Sequence, residues 1–351
     1  MDSDADAFAR VMGISLVGVL PMALKAAIQL QVPDILAEFS EDESKGLTAL
    51  EIASRLRGRT ASVNDAASML DRILRVLASH GLLSASTTVN GISYALNSLS
   101  RLLVQSHTAA SLSPFVVLTQ DPVYWKAYYN FQDAVLHGGT LFLEVHGTTS
   151  FKLTQQENNF NQLFNEGMLC HSVLVMSKML ETYRGFEDLH SLVDVGGGVG
   201  VCLGMITTKY PHIKGINLDL PHVIEAAPSH LGVQHVGGDM FVEIPEAEAM
   251  FMKWILHNWS DDHCLQILKN CHQSLPANGK VIALDALLPD QVENSSEAHA
   301  TYHMDLVMLA FHIGGKERTK DEIKALAITA GFSKLEVIHN VYGMSIMEIS
   351  K

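Results

Sequence analysis

Two short stretches of this 351-residue chain hold residue types spaced for chemistry. The first is Leu192-Val193-Asp194-Val195-Gly196-Gly197-Gly198-Val199-Gly200, an apolar run that meets a glycine-rich turn. Apolar residues up to Val195 suit a parallel strand covered on both faces, and the glycines let backbone approach a ligand with no β-carbon in the way. The second is Met252-Lys253-Trp254-Ile255-Leu256-His257-Asn258-Trp259-Ser260-Asp261, an apolar strand that runs into a histidine flanked by tryptophans. Ligands of open α/β sheets sit at the carboxyl ends of strands. An imidazole, with an ordinary pKa of about 6.5, can remove a proton near neutral pH. His257 is therefore a candidate general base. Spacing alone equally allows a histidine that caps the helix starting near Ser260 or packs among the aromatics.

The glycine turn has the spacing GxGxG and lacks the full GxGxxG dinucleotide pattern. Asp219 ends a mostly apolar stretch over 213–218, about 20 residues further on, where a carboxylate accepts from ribose hydroxyls. A ligand with ribose and adenine but no pyrophosphate, such as S-adenosylmethionine, suits this turn better than NAD. A nicotinamide dehydrogenase would share the strand, the turn and Asp219.

The elements that must position these residues follow from periodicity. Apolar runs near 215–219, 233–236, 249–255 and 280–284, with a helix over 261–275, alternate as βα units and predict a doubly wound parallel sheet. The final runs over 335–339 and 342–349 are separated only by Asn340-Val341, too short for a helix. They must pair antiparallel, an arrangement of methyltransferase sheets rather than of most dehydrogenases. Residues 121–183 read as helical. Upstream, helices over 49–56 and 66–79 and two strands around an Asn90-Gly91 turn predict a winged helix. Its second helix would bury Met69, Leu70, Ile73, Val76 and Leu77 on one face, and Gly81 would stop it. A DNA-reading regulator would need a basic stripe there, and Arg72 and Arg75 beside Asp71 are too few.

Composition narrows the function classes. The length suggests two domains, and 48% apolar residues supply a sizeable core. The formal charge of −14, spread along the chain, opposes nucleic acid or an anionic membrane as partner. The acidic start Met1-Asp2-Ser3-Asp4 is unlike a secretory signal, and the apolar run 11–24, interrupted by Pro21, is shorter than the roughly 20 residues of a membrane span. That run packs on its own domain or across a homodimer. Four cysteines without a CxxC pair read as reduced thiols of a cytoplasmic protein. His299 and His303 have i, i+4 spacing but Ala300 stands where a zinc protease has its glutamate, and no carboxylate cluster suits magnesium. No metal is expected.

With Met22-Ala23-Leu24-Lys25-Ala26-Ala27, Leu70-Asp71-Arg72-Ile73-Leu74-Arg75, Phe164-Asn165-Glu166-Gly167-Met168, Lys214-Gly215-Ile216-Asn217, Asp219-Leu220-Pro221-His222-Val223-Ile224, Gly237-Gly238-Asp239-Met240-Phe241 and Gly314-Gly315-Lys316-Glu317-Arg318-Thr319, almost the whole chain resembles plant small-molecule O-methyltransferases of the caffeic acid type. The resemblance implies a Rossmann-like class I methyltransferase sheet over 121–351, mostly parallel with a C-terminal antiparallel hairpin. A mainly helical winged-helix dimerisation domain over 1–120 would precede it. It implies S-adenosylmethionine on Gly196, Gly198, Asp219, Leu220, Asp239, Met240 and Lys253. His257 would be the base, oriented by Asp285 and Glu317, and a homodimer would act on a small phenol without metal. The acceptor would lie against Phe164, Met168, Trp254, Met304, Met308 and His312. Asp305 either pairs with an acceptor amine or faces solvent. Relatives often carry glutamate at the place of Asp285, aspartate at Asn258 and Asn-Pro at His312-Ile313. The last departure touches the acceptor side and speaks against monolignol specificity, so the acceptor stays open among catechol-type phenylpropanoids, flavonoids and benzylisoquinoline alkaloids, with caffeic or 5-hydroxyferulic acid of lignin biosynthesis as the alternative; Lys209-Tyr210-Pro211-His212-Ile213-Lys214 is similar to the alkaloid enzymes.

Overall fold

A computed structural model describes residues 4–39, 46–105 and 110–351; Met1, Asp2 and Ser3 of the acidic start lie outside the described residues. The chain forms two compact units, one of residues up to Trp125 with Asn159–His171, the other of Lys126–Asn158 with Ser172–Lys351.

In the first unit, helices Asp4–Leu16, Val19–Gln29 and Val32–Phe39 lead into β1 (Leu47–Thr48), helices Ala49–Arg55 and Val63–Ser79, and the hairpin of β2 (Ser84–Thr88) and β3 (Gly91–Ala95). The strands pair antiparallel in the order β1-β3-β2, completing the winged helix. Ser62 starts the second of these helices by accepting from the Asp65 N–H at 3.1 Å. Its buried row is Ala67, Leu70, Leu74 and Leu77, spaced i, i+3, i+7 and i+10. Met69 is 63% exposed and Val76 36%, so the apolar face expected from the sequence is turned by about one residue. The hairpin turn also shifts: Val89-Asn90 form it, and Gly91, at φ 112°, opens β3 opposite Thr88. Arg75 is paired with Asp71 at 2.6 Å, and the Tyr94 hydroxyl donates to the same carboxylate at 2.7 Å. No residue of Asp4–Leu16 is buried, although Phe8, Val11 and Ile14 are on it. Among the described residues no single helix is long and apolar enough to cross a membrane; Asp4–Leu16 and Val19–Gln29 meet that measure only jointly, bent by 49°.

The second unit is built on seven strands: β4 (Ser191–Val195), β5 (Lys214–Asp219), β6 (Val233–Gly237), β7 (Ala249–Lys253), β8 (Lys280–Asp285), then β11 (Lys334–Val341) and β12 (Met344–Ser350), with a separate pair of β9 (Leu287–Leu288) and β10 (Arg318–Thr319). The order is β11-β12-β8-β7-β4-β5-β6, with only the contacts of β12 antiparallel. Alternation along each strand divides the core in two. Val193, Val195, Met250, Met252, Val281 and Ala283 face the Asp261–Ser274 and Lys320–Ala330 helices, while Leu192, Phe251, Ile282 and Leu284 face Val175, Met176, Leu203 and Ile206. Both faces are therefore dry, and polar groups are pushed to the strand ends.

Three expectations are corrected here. The hairpin turn falls on Tyr342-Gly343, at φ 52° and 80°, not on Asn340-Val341, which extend β11; the Asn340 side chain accepts from the Gly343 N–H at 2.8 Å. β7 stops at Lys253 because Trp254 takes φ 56°. The helical stretch expected over 121–183 is broken at Gly138, Gly139 and Gly147, all at positive φ, before the long helix Asn158–Thr182.

The rotated face of the Val63–Ser79 helix is checked by truncation. Leu74→Ala, at a position with 0% exposure, should cost about 2–5 kcal/mol of unfolding free energy. Met69→Ala should cost within about 0.5 kcal/mol. Denaturant midpoints measure both, and equal losses would restore the face expected from the sequence.

Candidate active site

Every carboxyl end from β4 to β8 carries residues singled out above. After β4 the chain turns through Gly196, Gly198 and Gly200, at φ 68°, 59° and 84°. A β-carbon on Gly196 would stand 2.6 Å from Ile255 Cδ1 and 3.8 Å from Met240 Sδ, so the close approach demands glycine; one on Gly198 would meet nothing within 4 Å. The Gly198 N–H donates to Asp219 Oδ2 and the Leu220 N–H to Oδ1, each at 2.7 Å. Each oxygen of Asp219 keeps a second lone pair for a ligand hydroxyl, and burial pushes its pKa up. Beneath the turn, Asn217 donates to the Gly198 carbonyl at 2.8 Å. Asp239 is exposed and accepts from the Phe241 N–H at 2.9 Å, while the Asn270 amide donates to the Met240 carbonyl at 2.8 Å.

Lys253 ends β7 with its ammonium 4.0 Å over the Trp254 ring. Asp194 on β4 and Asp285 on β8 stand on the two neighbouring strands. Burial pushes both carboxyls up to about 7, and Lys253 pulls each back in part. Burial lowers the lysine, against the pull of Cys202, Asp285 and Asp194.

Past Lys253 a single 3-10 turn, Leu256–Asn258, presents His257, which is 5% exposed. It does not cap the next helix; Ser260 does. His257 Nδ1 lies 2.8 Å from Glu317 Oε1, and Glu317 is 1% exposed. A carboxylate accepting from Nδ1–H leaves Nε2 with the lone pair that a base needs. The Trp254 ring stacks on the imidazole at 5.8 Å and 18°. Asp285 lines the same crevice as His257 and Glu317, yet among the described residues neither of its oxygens has a hydrogen-bond partner. The shorter side chain thus does not reach the imidazole as an orienting acceptor.

The turn is held by residues to which the sequence assigns no role. The Lys316 N–H donates to the His257 carbonyl at 2.9 Å. Arg318, 2% exposed, donates to the carbonyls of Leu256 and Trp259 at 2.8 and 2.7 Å and to Asp261 at 2.7 Å. Asn258 donates through Nδ2 to the carbonyl of Trp254 at 2.8 Å, which pins the left-handed residue; an ionised aspartate in its place could not donate. Apart from the ordered Gly314-to-Thr319 motif, no local pattern marks Arg318 as buried.

On the acceptor side, Met304 and Met308 share one face of the Ser296–Phe311 helix. His312 follows it, its pKa pushed down to about 3 by burial and then by His257, so it is neutral near pH 7. Phe151 packs on His312 at 5.2 Å. Asp305 Oδ1 accepts from the Glu317 N–H at 2.9 Å. Phe164 and Met168 lie in Asn159–His171, which belongs to the first unit. Among the described residues no group of three or more His, Cys, Asp or Glu is placed to hold a metal ion.

Comparison with known proteins identifies the family of the chain. Residues 128–333 match the model of an O-methyltransferase domain, and residues 13–106 that of an O-methyltransferase dimerisation domain. Caffeic acid 3-O-methyltransferase 1 of Populus tremuloides is 45% identical over 99% of this chain and 96% of its own length. O-methyltransferase 13 of Lophophora williamsii is 46% identical over the same shares. Among solved structures, a methyltransferase of calicheamicin biosynthesis in its SAH-bound form aligns over all of both chains with a TM-score of 0.83 at 25% identity. Human N-acetylserotonin methyltransferase shares the fold, with a TM-score of 0.81 at 21% identity over 100% of this chain and 99% of its own.

The orphaned carboxyl of Asp285 has a measurable signature. With a folded value of about 7 against about 3.9 when exposed, the folded protein keeps a proton that the unfolded chain loses between those two values. Its contribution to stability therefore falls as pH rises through that window and is constant above it. Relative to the parent protein, Asp285→Asn should gain roughly 2–3 kcal/mol between pH 5 and 8. Urea midpoints at the two pH values measure this difference, and a gap that does not change with pH would show that Asp285 titrates normally.

Proposed function

This chain belongs to the O-methyltransferase family, and from that premise we propose that it methylates a phenolic hydroxyl of a plant specialised metabolite from S-adenosylmethionine, with His257 as general base. The observation that carries the proposal is the buried His257–Glu317 bond of 2.8 Å beside the glycine turn. The residues fit the cofactor: Gly198 opens the turn, with nothing within 4 Å of where a β-carbon would stand, beside Asp219, whose oxygens each keep a lone pair for a ribose hydroxyl. When bound, S-adenosylmethionine supplies an activated methyl on a sulfonium. Gly196 and Gly198 then admit it, Asp219 accepts from ribose hydroxyls and Leu220 lies alongside. Asp239 and Met240 hold the adenine edge and face, and Lys253 donates to its oxygens.

His257 takes the phenolic proton on Nε2, and Glu317 keeps Nδ1 protonated and stabilises the imidazolium that results. Asp285, with its pKa pushed up to about 7 by burial, carries about half a negative charge near pH 7 beside the pair. Trp254, Met304, Met308 and His312 supply flat and polarizable walls for an aromatic acceptor. Much of the acceleration then comes from positioning. The relatives named for caffeic acid and catechol favour a catechol-type acceptor, a phenylpropanoid, flavonoid or benzylisoquinoline alkaloid. Caffeic acid, which the first of these names carries, is the second reading, together with 5-hydroxyferulic acid as the related lignin acceptor, and against it stands His312-Ile313 for Asn-Pro. The reading includes a homodimer through the domain of residues 1–120, catalysis by residues 121–351 without metal, and a cytoplasmic site of action.

The test incubates the protein with methyl-labelled S-adenosylmethionine and a panel of catechols, hydroxycinnamates, flavonoids and phenolic alkaloids, with chelator present. Label should pass to catechol-type phenols, and His257→Ala should lower kcat by about 10²–10⁴ while cofactor affinity is kept. Cofactor binding without transfer to any phenol would overturn the acceptor claim, and a need for metal would overturn the mechanism. In sedimentation the protein should run at about twice its chain mass of 38.4 kDa; a monomer at micromolar concentration would remove the dimer from the reading.

A further inference from the structure

We infer that Asp305 is a positioning residue for the base, acting through the backbone amide of Glu317, and that it does not pair with the acceptor. The inference rests on the proposed role of His257. Glu317 has one side-chain partner, the imidazole; its second oxygen, Oε2, is buried with no hydrogen bond. Among the described residues the carboxylate is therefore held through Oε1 alone, and its backbone must fix the rest of its position. The residues on either side are tied to the His257 turn, Lys316 through its N–H to the His257 carbonyl at 2.9 Å and Arg318 through its guanidinium to the Leu256 carbonyl at 2.8 Å. Glu317 is tied elsewhere: its N–H donates to Asp305 Oδ1 at 2.9 Å, on the Ser296–Phe311 helix.

That bond makes the helix a third anchor of the strap and sets the side from which the carboxylate meets Nδ1. The bond engages one lone pair of Oδ1 and leaves the charge of the carboxylate in place, so the two roles are separated by what each needs. Two consequences follow from the chemistry of the bond. An N–H needs an oxygen acceptor and no charge, so asparagine can replace aspartate there. An acceptor ammonium needs the charge, so asparagine would fail. Loss of the oxygen altogether frees the Glu317 backbone, and a misplacement on the order of 1 Å at a reacting group lowers rate up to about 10²-fold.

The experiment compares Asp305→Asn with Asp305→Leu, of similar size but with no acceptor. Asp305→Leu should lower kcat by about tenfold or more and leave the dissociation constant of S-adenosylmethionine within twofold. Asp305→Asn should recover kcat to within about threefold of the parent protein, for acceptors with and without an amine. A readout that needs no acceptor is the downfield Nδ1–H proton resonance of His257, which should persist in Asp305→Asn and be lost in Asp305→Leu. If no phenol is methylated by the parent protein, the proposed function fails and this resonance still decides the positioning role. If Asp305→Leu does not fold, the asparagine variant decides: parent-like rates on both acceptor kinds uphold the inference, and a loss confined to amine acceptors overturns it. An Asp305→Leu protein with unchanged kcat and an unchanged resonance also overturns it.

Discussion

A hydrogen bond of 2.8 Å between two side chains almost closed to solvent, His257 and Glu317, sets the terms for the structure around it. Burying a carboxylate costs several kcal/mol unless a partner offsets it, and the imidazole is the one hydrogen-bond partner that Glu317 has at its side chain. The geometry must therefore be held from outside the pair. Arg318 closes the carbonyls that the 3-10 turn leaves open, Asn258 pins the left-handed Trp254, and the Lys316 amide fastens the segment before β10 to that turn. The candidate site is in this way held by hydrogen bonds to backbone groups more than by contacts between side chains.

The same economy of charge governs the strand ends. Asp194, Lys253 and Asp285 end or nearly end three adjacent strands, β4, β7 and β8. A single ammonium stands between two buried carboxyls, and burial keeps both carboxyls near 7 in pKa, half way to neutral. The region thus avoids two full negative charges beside an already acidic pair, at the end where a sulfonium ligand is proposed to lie. The Lys253 ammonium over Trp254 links this charge balance to the aromatic wall that stacks on His257.

Much of this was legible before any coordinates. Val193 and Val195 alternate with Leu192 and Asp194, and the two dry faces of the sheet follow from that alternation. Glycines at positive φ mark the turn because few other residues take that conformation. Errors arose where two patterns overlap. In the Val63–Ser79 helix, Met69-Ile73-Val76 and Leu70-Leu74-Leu77 are both apolar rows, and only packing against Ile52 and Tyr94 selects the second. At the C-terminus, Asn340 looks like a turn residue, yet its side chain serves a turn two residues later.

What the chain by itself determined is the architecture and the identities of the candidate groups: the strand–glycine turn, the carboxylate at the next strand end, the histidine after β7, and the order of the motifs. These follow from local periodicity and residue chemistry, which are properties of neighbours in sequence. Only the tertiary structure decided which groups meet. Glu317 lies 60 residues from His257 and bonds it, whereas Asp285 lies 28 away in the chain (285 − 257) and has no hydrogen bond at all. Arg318 became a buried strut and Asp305 a clamp on a backbone amide. Hydrogen bonds act over about 3 Å in space, and distance along the chain carries no information about that until the sheet has brought its strand ends together.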